Sequence, residues 1–143
     1  MADFSAKNIR NVALIGHGGE GKTTLAEAIL FNAKAIDRQG TTQDGNTVMD
    51  FDSEEIAKKI SISMALANCY YECEFGSAKF NILDTPGFFD FEGEMRLALS
   101  AADGAVVVSG LGGSVSVGTE KALDYCIKNN IPAILFLNGT DKE

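Results

Sequence analysis

Residues Asn11 to Thr23 read NVALIGHGGEGKT, and the order of chemistry along them decides the fold. Asn11 to Ile15 is a short apolar run of the kind that forms a buried strand. Gly16-His17-Gly18-Gly19-Glu20-Gly21-Lys22-Thr23 completes a GxxxxGK[ST] pattern, and Thr23 to Asn32 continues with Leu25, Ala26, Ile29 and Leu30 at helical spacing. A strand, a glycine loop and a helix in that order build an anion site. The glycines let backbone N–H groups converge on phosphate oxygens, and the helix N-terminus adds partial positive charge. Lys22 is expected to neutralise the β- and γ-phosphates and Thr23 to offer its hydroxyl to Mg2+. His17 reads as a loop residue rather than a base.

The pattern outward from this stretch is an alternation. Ile60 to Phe75 is a long, weakly alternating run and Phe80 to Leu83 a second strand, with Gly76, Ser77 and Ala78 predicting a hairpin between them. A glutamate-flanked helix is predicted near Glu94 to Ala102, then a buried strand over Ala105 to Ser109. Thr119 to Asn129 reads as a helix with Ala122, Leu123 and Cys126 on one face, and Ala133 to Leu137 as a closing strand. Strands alternating with helices of this length imply an α/β, three-layer fold, a mostly parallel sheet with helices on both faces. Ala35 to Glu55 has no clear period and predicts a long mobile loop.

Composition narrows the function classes. The 143 residues are 45% hydrophobic, enough for one sizeable core, so residues 1–143 are expected to form a single domain. Met1 to Arg10 carries no apolar run of signal-peptide length and no stretch is long enough for a membrane helix, which predicts a soluble cytoplasmic protein without a membrane partner. Cys69, Cys73 and Cys126 are an odd number with no dense framework, so reduced thiols are expected. The only histidine, His17, lies far from Cys69 and Cys73 in sequence, which disfavours a thiolate metal site. A net charge of −8 argues against direct nucleic-acid binding by this acidic segment.

Two further motifs follow the phosphate loop. Asp84-Thr85-Pro86-Gly87 ends the predicted Phe80 to Leu83 strand, and an acid there, facing the phosphate loop, is where such sheets hold Mg2+ through water. Gly87 can bring its N–H against the γ-phosphate where a side chain would crowd it. Alone, Asp-Thr-Pro-Gly is an ordinary turn; downstream of a phosphate loop it reads as part of the site. Asn138-Gly139-Thr140-Asp141 is similar to the guanine-specificity sequence Asn-Lys-x-Asp, with Gly139 where lysine is expected. Asp141 would accept hydrogen bonds from the guanine ring N–H and exocyclic amine, a pattern adenine lacks. A polar turn at a strand end is the competing reading, because Asn-Gly is also a turn dipeptide.

Taken in order, Ile9 to Phe31, Asp50 to Ser63, Ile82 to Glu94 and Asp103 to Asn138 resemble the N-terminal G domain of elongation factor G and its elongation-factor-G-like relatives, among the translation-factor GTPases. The resemblance covers nearly the whole chain. It implies a Ras-like P-loop NTPase fold, GTP and GDP with Mg2+, and the ribosome as the activating partner of a longer multidomain protein. It also implies a C-terminally incomplete domain, since Glu143 precedes the family's further guanine-contacting loop, last strand and last helix. The family's Ile-Thr-Ile supplies a threonine to Mg2+, and Ile60-Ser61-Ile62 matches it with Ser61 as the hydroxyl. Three positions depart from the family pattern: Phe88 stands where a histidine orients the attacking water, Gly19 where an aspartate is often found, and Gly139 where lysine covers the base.

The candidate site therefore comprises Lys22 and Gly87 for catalysis and Thr23, Ser61 and Asp84 for the metal. Gly16, His17, Gly18, Gly19, Glu20, Gly21, Lys22, Thr23, Thr24, Asp84, Gly87, Asn138 and Asp141 are the expected nucleotide contacts. Two function classes follow: a GTPase releasing GDP and phosphate, and a nucleotide-dependent binding switch with little turnover. A P-loop ATPase or small-molecule kinase is disfavoured by Asp141. With Asp141 present and Gly139 leaving the base poorly covered, the intact protein should prefer GDP over ADP yet release GDP fast, and Gly139→Lys should slow that release. Equal affinity for GDP and ADP in a competition measurement would reduce the motif to a turn.

Overall fold

A computed structural model describes residues 5–74, 76–112 and 114–141. Phe75, at the end of the predicted alternating stretch, lies outside them, as does the side chain of Cys73. Five strands form one sheet in the order β2-β3-β1-β4-β5, built from β1 (Ile9–Gly16), β2 (Ala65–Cys73), β3 (Gly76–Asp84), β4 (Gly104–Gly110) and β5 (Ala133–Asn138). Only β2 with β3 is antiparallel; β1 pairs in parallel with β3 and β4, and β4 with β5.

Side-chain alternation along β1 splits the core in two. Leu14 points to α1 (Lys22–Asn32), packing with Ala26, Leu30, Met49, Cys69 and Ile82. Ala13 and Ile15 point to α3 (Glu92–Ala101) and α4 (Val117–Lys128), packing with Met95, Leu99, Val107, Ala122 and Cys126. Both faces of the sheet are thus covered by helices, which makes the expected three-layer α/β arrangement. Cys69 and Cys126 sit in opposite layers of that core. β5 lies at the sheet edge with Ala133 to Leu137 exposed. Among the described residues no helix is long and apolar enough to cross a membrane.

Three local expectations are corrected. The hairpin does not turn on Gly76, Ser77 and Ala78: the register pairs Cys73 with Gly76 and Tyr71 with Ala78, so these residues already belong to β3. Glycine at 76 marks the strand entry, at φ +104. The strand expected from Ile60 begins only at Ala65, because the N–H groups of Ile62 and Ser63 are taken by the Glu55 carboxylate and that of Met64 by Glu94, outside any ladder. The segment read as a formless loop over Ala35 to Glu55 ends in a helix, α2 (Ser53–Lys58), started by a reciprocal Asp52–Glu55 capping box. Asp52 and Glu55, three apart, carried that signal in the sequence.

The register of β1 and β3 sets Leu14 beside Asp84, and the next residue, the wholly buried Thr85, donates its hydroxyl to the Leu14 carbonyl at 2.7 Å. Thr85→Val should lower unfolding stability by about 1–3 kcal/mol, since it removes a buried hydrogen bond with little change of shape, while Thr85→Ser should recover most of it. Urea midpoints of the two variants that coincide with the unaltered protein would contradict this.

Candidate functional site

β1 delivers the chain to Gly16 and α1 starts at Lys22, so the loop between them is pinned at both ends by regular structure. Gly21 is the N-cap of α1 at φ +96, a left-handed conformation that favours glycine, and offers no side-chain cap to the first-turn N–H groups. Lys22 is buried, and its ammonium donates to the carbonyls of His17 at 2.8 Å and Gly16 at 3.2 Å. Burial pulls its pKa down, opposed by the charges of Asp84, Glu20 and Asp50. Glu20 turns its carboxylate away from the hollow, accepting from the His17 N–H at 3.1 Å and the Thr119 hydroxyl at 2.7 Å, which ties the loop to the start of α4.

Oxygen donors converge beside Lys22. The Thr23 and Ser61 hydroxyls lie 3.2 Å apart, and Ser61 donates to Asp50 Oδ1 at 2.7 Å. Asp84 ends β3 and is only 2% exposed, and neither of its carboxylate oxygens meets a hydrogen-bond partner among the described residues; Asp50 Oδ2 is in the same position. Burial pushes the Asp84 carboxyl up to about 7 against the opposing influence of the Thr23 hydroxyl and the Lys22 charge, and burial likewise raises Asp50 against its bond from Ser61. Buried carboxylate oxygens without partners are costly. Hydroxyls and carboxylates are the ligands a hard divalent cation takes, so the residues present fit Mg2+.

Gly87 approaches the loop so closely that a Cβ there would collide with the Gly18 N–H and the Lys22 ammonium. Phe88 follows, 42% exposed, its ring over Gly18 and its centroid 6.4 Å from that of His17. Asn138 ends β5 and donates from Nδ2 to the Glu20 carbonyl at 2.8 Å, while Gly139 takes φ +78. A cleft of about 570 Å³ runs past these parts.

Of the expected residues, Gly18, Gly19, Gly21, Lys22, Thr23, Thr24, Ser61, Gly87, Asn138 and Asp141 line the cleft. Gly16, His17, Glu20 and Asp84 are not among its lining residues; the Gly16 and His17 carbonyls accept from Lys22, Glu20 accepts from the His17 N–H, and the charges of Asp84 and Glu20 act on Lys22. Thr41, Thr42, Gln43, Lys59 and Ile60 also line it and were not anticipated, nor was Asp50. The Asp50-Phe51-Asp52-Ser53 run offered no periodicity to single out its first acid, whose role appears only when the fold brings residues 50 and 61 together.

The residue pattern of the family described as "Elongation factor Tu GTP binding domain" matches residues 7–143. An "Elongation factor G-like protein" of Mycobacterium tuberculosis is 39% identical over 93% of this chain and 18% of its own length. "Elongation factor G" of Carsonella ruddii is 36% identical over 95% of this chain, corresponding to 20% of that relative. A crystal structure of a Thermus thermophilus protein superposes with a TM-score of 0.83 at 36% identity, over 90% of this chain and 19% of that one. The chain thus spans about a fifth of the length of these relatives.

The Asp84 carboxyl gives a pH signature. Its folded value of about 7 lies above the ordinary 3.8, so between these values the folded protein holds a proton that the unfolded chain has lost. This stabilising contribution is complete below the ordinary value and is lost as pH rises through the folded one. Asp84→Asn, neutral throughout, should therefore exceed the unaltered protein in Tm without Mg2+ by an increment that grows from acid to mildly alkaline pH, reaching about 5 °C. Excess Mg2+ should shrink the increment by binding only the carboxylate. A difference in Tm that does not change with pH would refute the assignment.

Proposed function

Because the chain belongs to the translation-factor GTPases, in the elongation factor Tu GTP-binding-domain family, we propose that it binds GTP with Mg2+ and hydrolyses it to GDP and phosphate, as the G domain of a cytoplasmic, ribosome-associated, elongation-factor-G-like protein. The observation that carries this reading is the meeting of a buried Lys22, the phosphate-loop amides, the partnerless Asp84 carboxylate and the Gly87 backbone at one end of one cleft.

The chain's own groups divide the work. Loop amides from Gly18 to Thr24 hold the β-phosphate, and Lys22 exchanges its carbonyl partners for β- and γ-oxygens, where its charge counts most in a desolvated site. Thr23, Ser61 and Asp84 would hold Mg2+, with Asp50 orienting Ser61, and the bound metal would supply charge neutralisation for the phosphates. The Gly87 N–H meets the γ-phosphate, and Asp141 accepts from guanine while Asn138 braces the loop through the Glu20 carbonyl. Water attacks the γ-phosphorus and gives up a proton to phosphate oxygen or solvent, the bond to the bridging β-phosphate oxygen breaks with its electron pair going to that oxygen, and GDP and phosphate leave.

Phe88 determines the rate. Its ring has neither donor nor acceptor and cannot hold a water in line, and positioning is most of what such enzymes contribute to phosphoryl transfer. The Phe88 ring is part-exposed over Gly18, at the cleft, rather than packed into the core. This favours slow turnover alone, and it also favours the second reading, a switch that changes its loops with nucleotide and hydrolyses little. In the full-length protein, GTP turnover should be slow without ribosomes and faster with them. Phe88→His should raise the stimulated kcat by at least about tenfold while nucleotide Kd stays within about twofold, since the added group acts chiefly in the transition state. No stimulation of either form, with GTP still bound, would leave the switch reading in place of the GTPase.

A further inference from the structure

Glu27 lies in α1 one turn beyond Thr23, on the same side of the helix, and is 0% exposed. A buried carboxylate is expensive unless its oxygens are satisfied. Both are, and by backbone: Oε2 accepts from the Gly40 N–H at 2.8 Å and Oε1 from the Val48 N–H at 2.6 Å. These two amides sit on opposite sides of a neck where the chain crosses itself. A Cβ on Gly40 would lie 2.7 Å from Thr47 Cα and collide with the Asn46 carbonyl, and the Thr41 N–H bonds Asn46 Oδ1 at 2.8 Å across the same gap.

Both directions out of the neck lead to the cleft. Thr41, Thr42 and Gln43, at the tip, line it directly. On the other side Thr47 Oγ1 accepts from the Asp50 N–H at 3.1 Å, Asp50 accepts from Ser61, and Ser61 meets Thr23. One rigid helix thus supplies a metal hydroxyl, Thr23, and four residues on the carboxylate that holds the loop presenting the others. We propose that Glu27 is a positioning residue for the cation end of the nucleotide site: by clamping Gly40 and Val48 it sets where Asp50 and Ser61 stand relative to Thr23. The inference rests on the GTP and Mg2+ reading above but concerns a residue that touches neither ligand.

Glu27→Gln in the full-length protein keeps the shape but turns one acceptor into a donor facing an N–H. Hydrogen exchange should speed up at the Gly40 and Val48 amides. The Mg2+ concentration for half-maximal retention of GDP should rise about tenfold, the loss of one charge-assisted hydrogen bond, while GDP affinity in EDTA changes less than about twofold. Gly40→Ala, which spreads the neck while leaving the Glu27 side chain itself unaltered, should raise the Mg2+ requirement in the same direction and serves if Glu27→Gln does not fold. Equal weakening of GDP with and without Mg2+, or an unchanged Mg2+ requirement and unchanged exchange, overturns the proposal. Failure of the unaltered protein to bind GDP at all overturns instead the nucleotide reading on which it rests.

Discussion

Parallel pairing of β1 with β3, in the register that sets Leu14 beside Asp84, brings two loops to one end of the sheet. β1 runs on into the phosphate loop and β3 into Thr85-Pro86-Gly87, and the Thr85 hydroxyl on the Leu14 carbonyl locks the second exit to the first. From that single constraint follow the contact of Gly87 with the loop, the electrostatic pairing of Lys22 with Asp84 and the direction of α1. A shift of one residue in this register would send Asp84 to the other face of the sheet.

The buried acids among the described residues fall into two kinds. Glu27 and Glu55 have their carboxylates filled by backbone N–H groups of the segment between α1 and β2, so their charge is spent on holding that segment in place. Asp50 and Asp84 keep partnerless oxygens, and burial raises the pKa of each. Satisfied acids organise structure; unsatisfied ones hold a demand for positive charge that one lysine, occupied with loop carbonyls, does not meet.

The family departures reshape the site locally without disturbing this frame. Phe88 lies over Gly18, where a side chain would crowd its ring, so the aromatic residue and the glycine of the loop suit each other. Gly139 takes φ +78 and has no stem to lay over a base, but the neighbouring Asn138 still reaches the loop through the Glu20 carbonyl. On the proposed reading, phosphate binding would rest on the loop backbone and Lys22, whereas water orientation and base cover would rest on side chains that Phe88 and Gly139 do not supply.

Much was legible because the relevant physics is local. The Val12 to Ile15 run, the glycine loop and the spacing of Ala26 and Leu30 determine a strand, a turn and a helix within one stretch, and the period-two core of β1 divides the layers. Asp84, Gly87 and Asn138 were readable because each directly follows an apolar strand, and parallel strands end on the same side. Asp50, Glu27 and the Thr41 to Gln43 tip were not, since neither a polar residue in an aperiodic segment nor a lone acid within a helix carries a signal of its partner, and their contacts run across the chain, as between Ser61 and Asp50 and between Glu27 and Val48. The sequence by itself thus determined the layered sheet and the glycine loop; only tertiary structure decided which acids are filled by backbone N–H groups and which keep partnerless oxygens, because that depends on where distant amides come to lie.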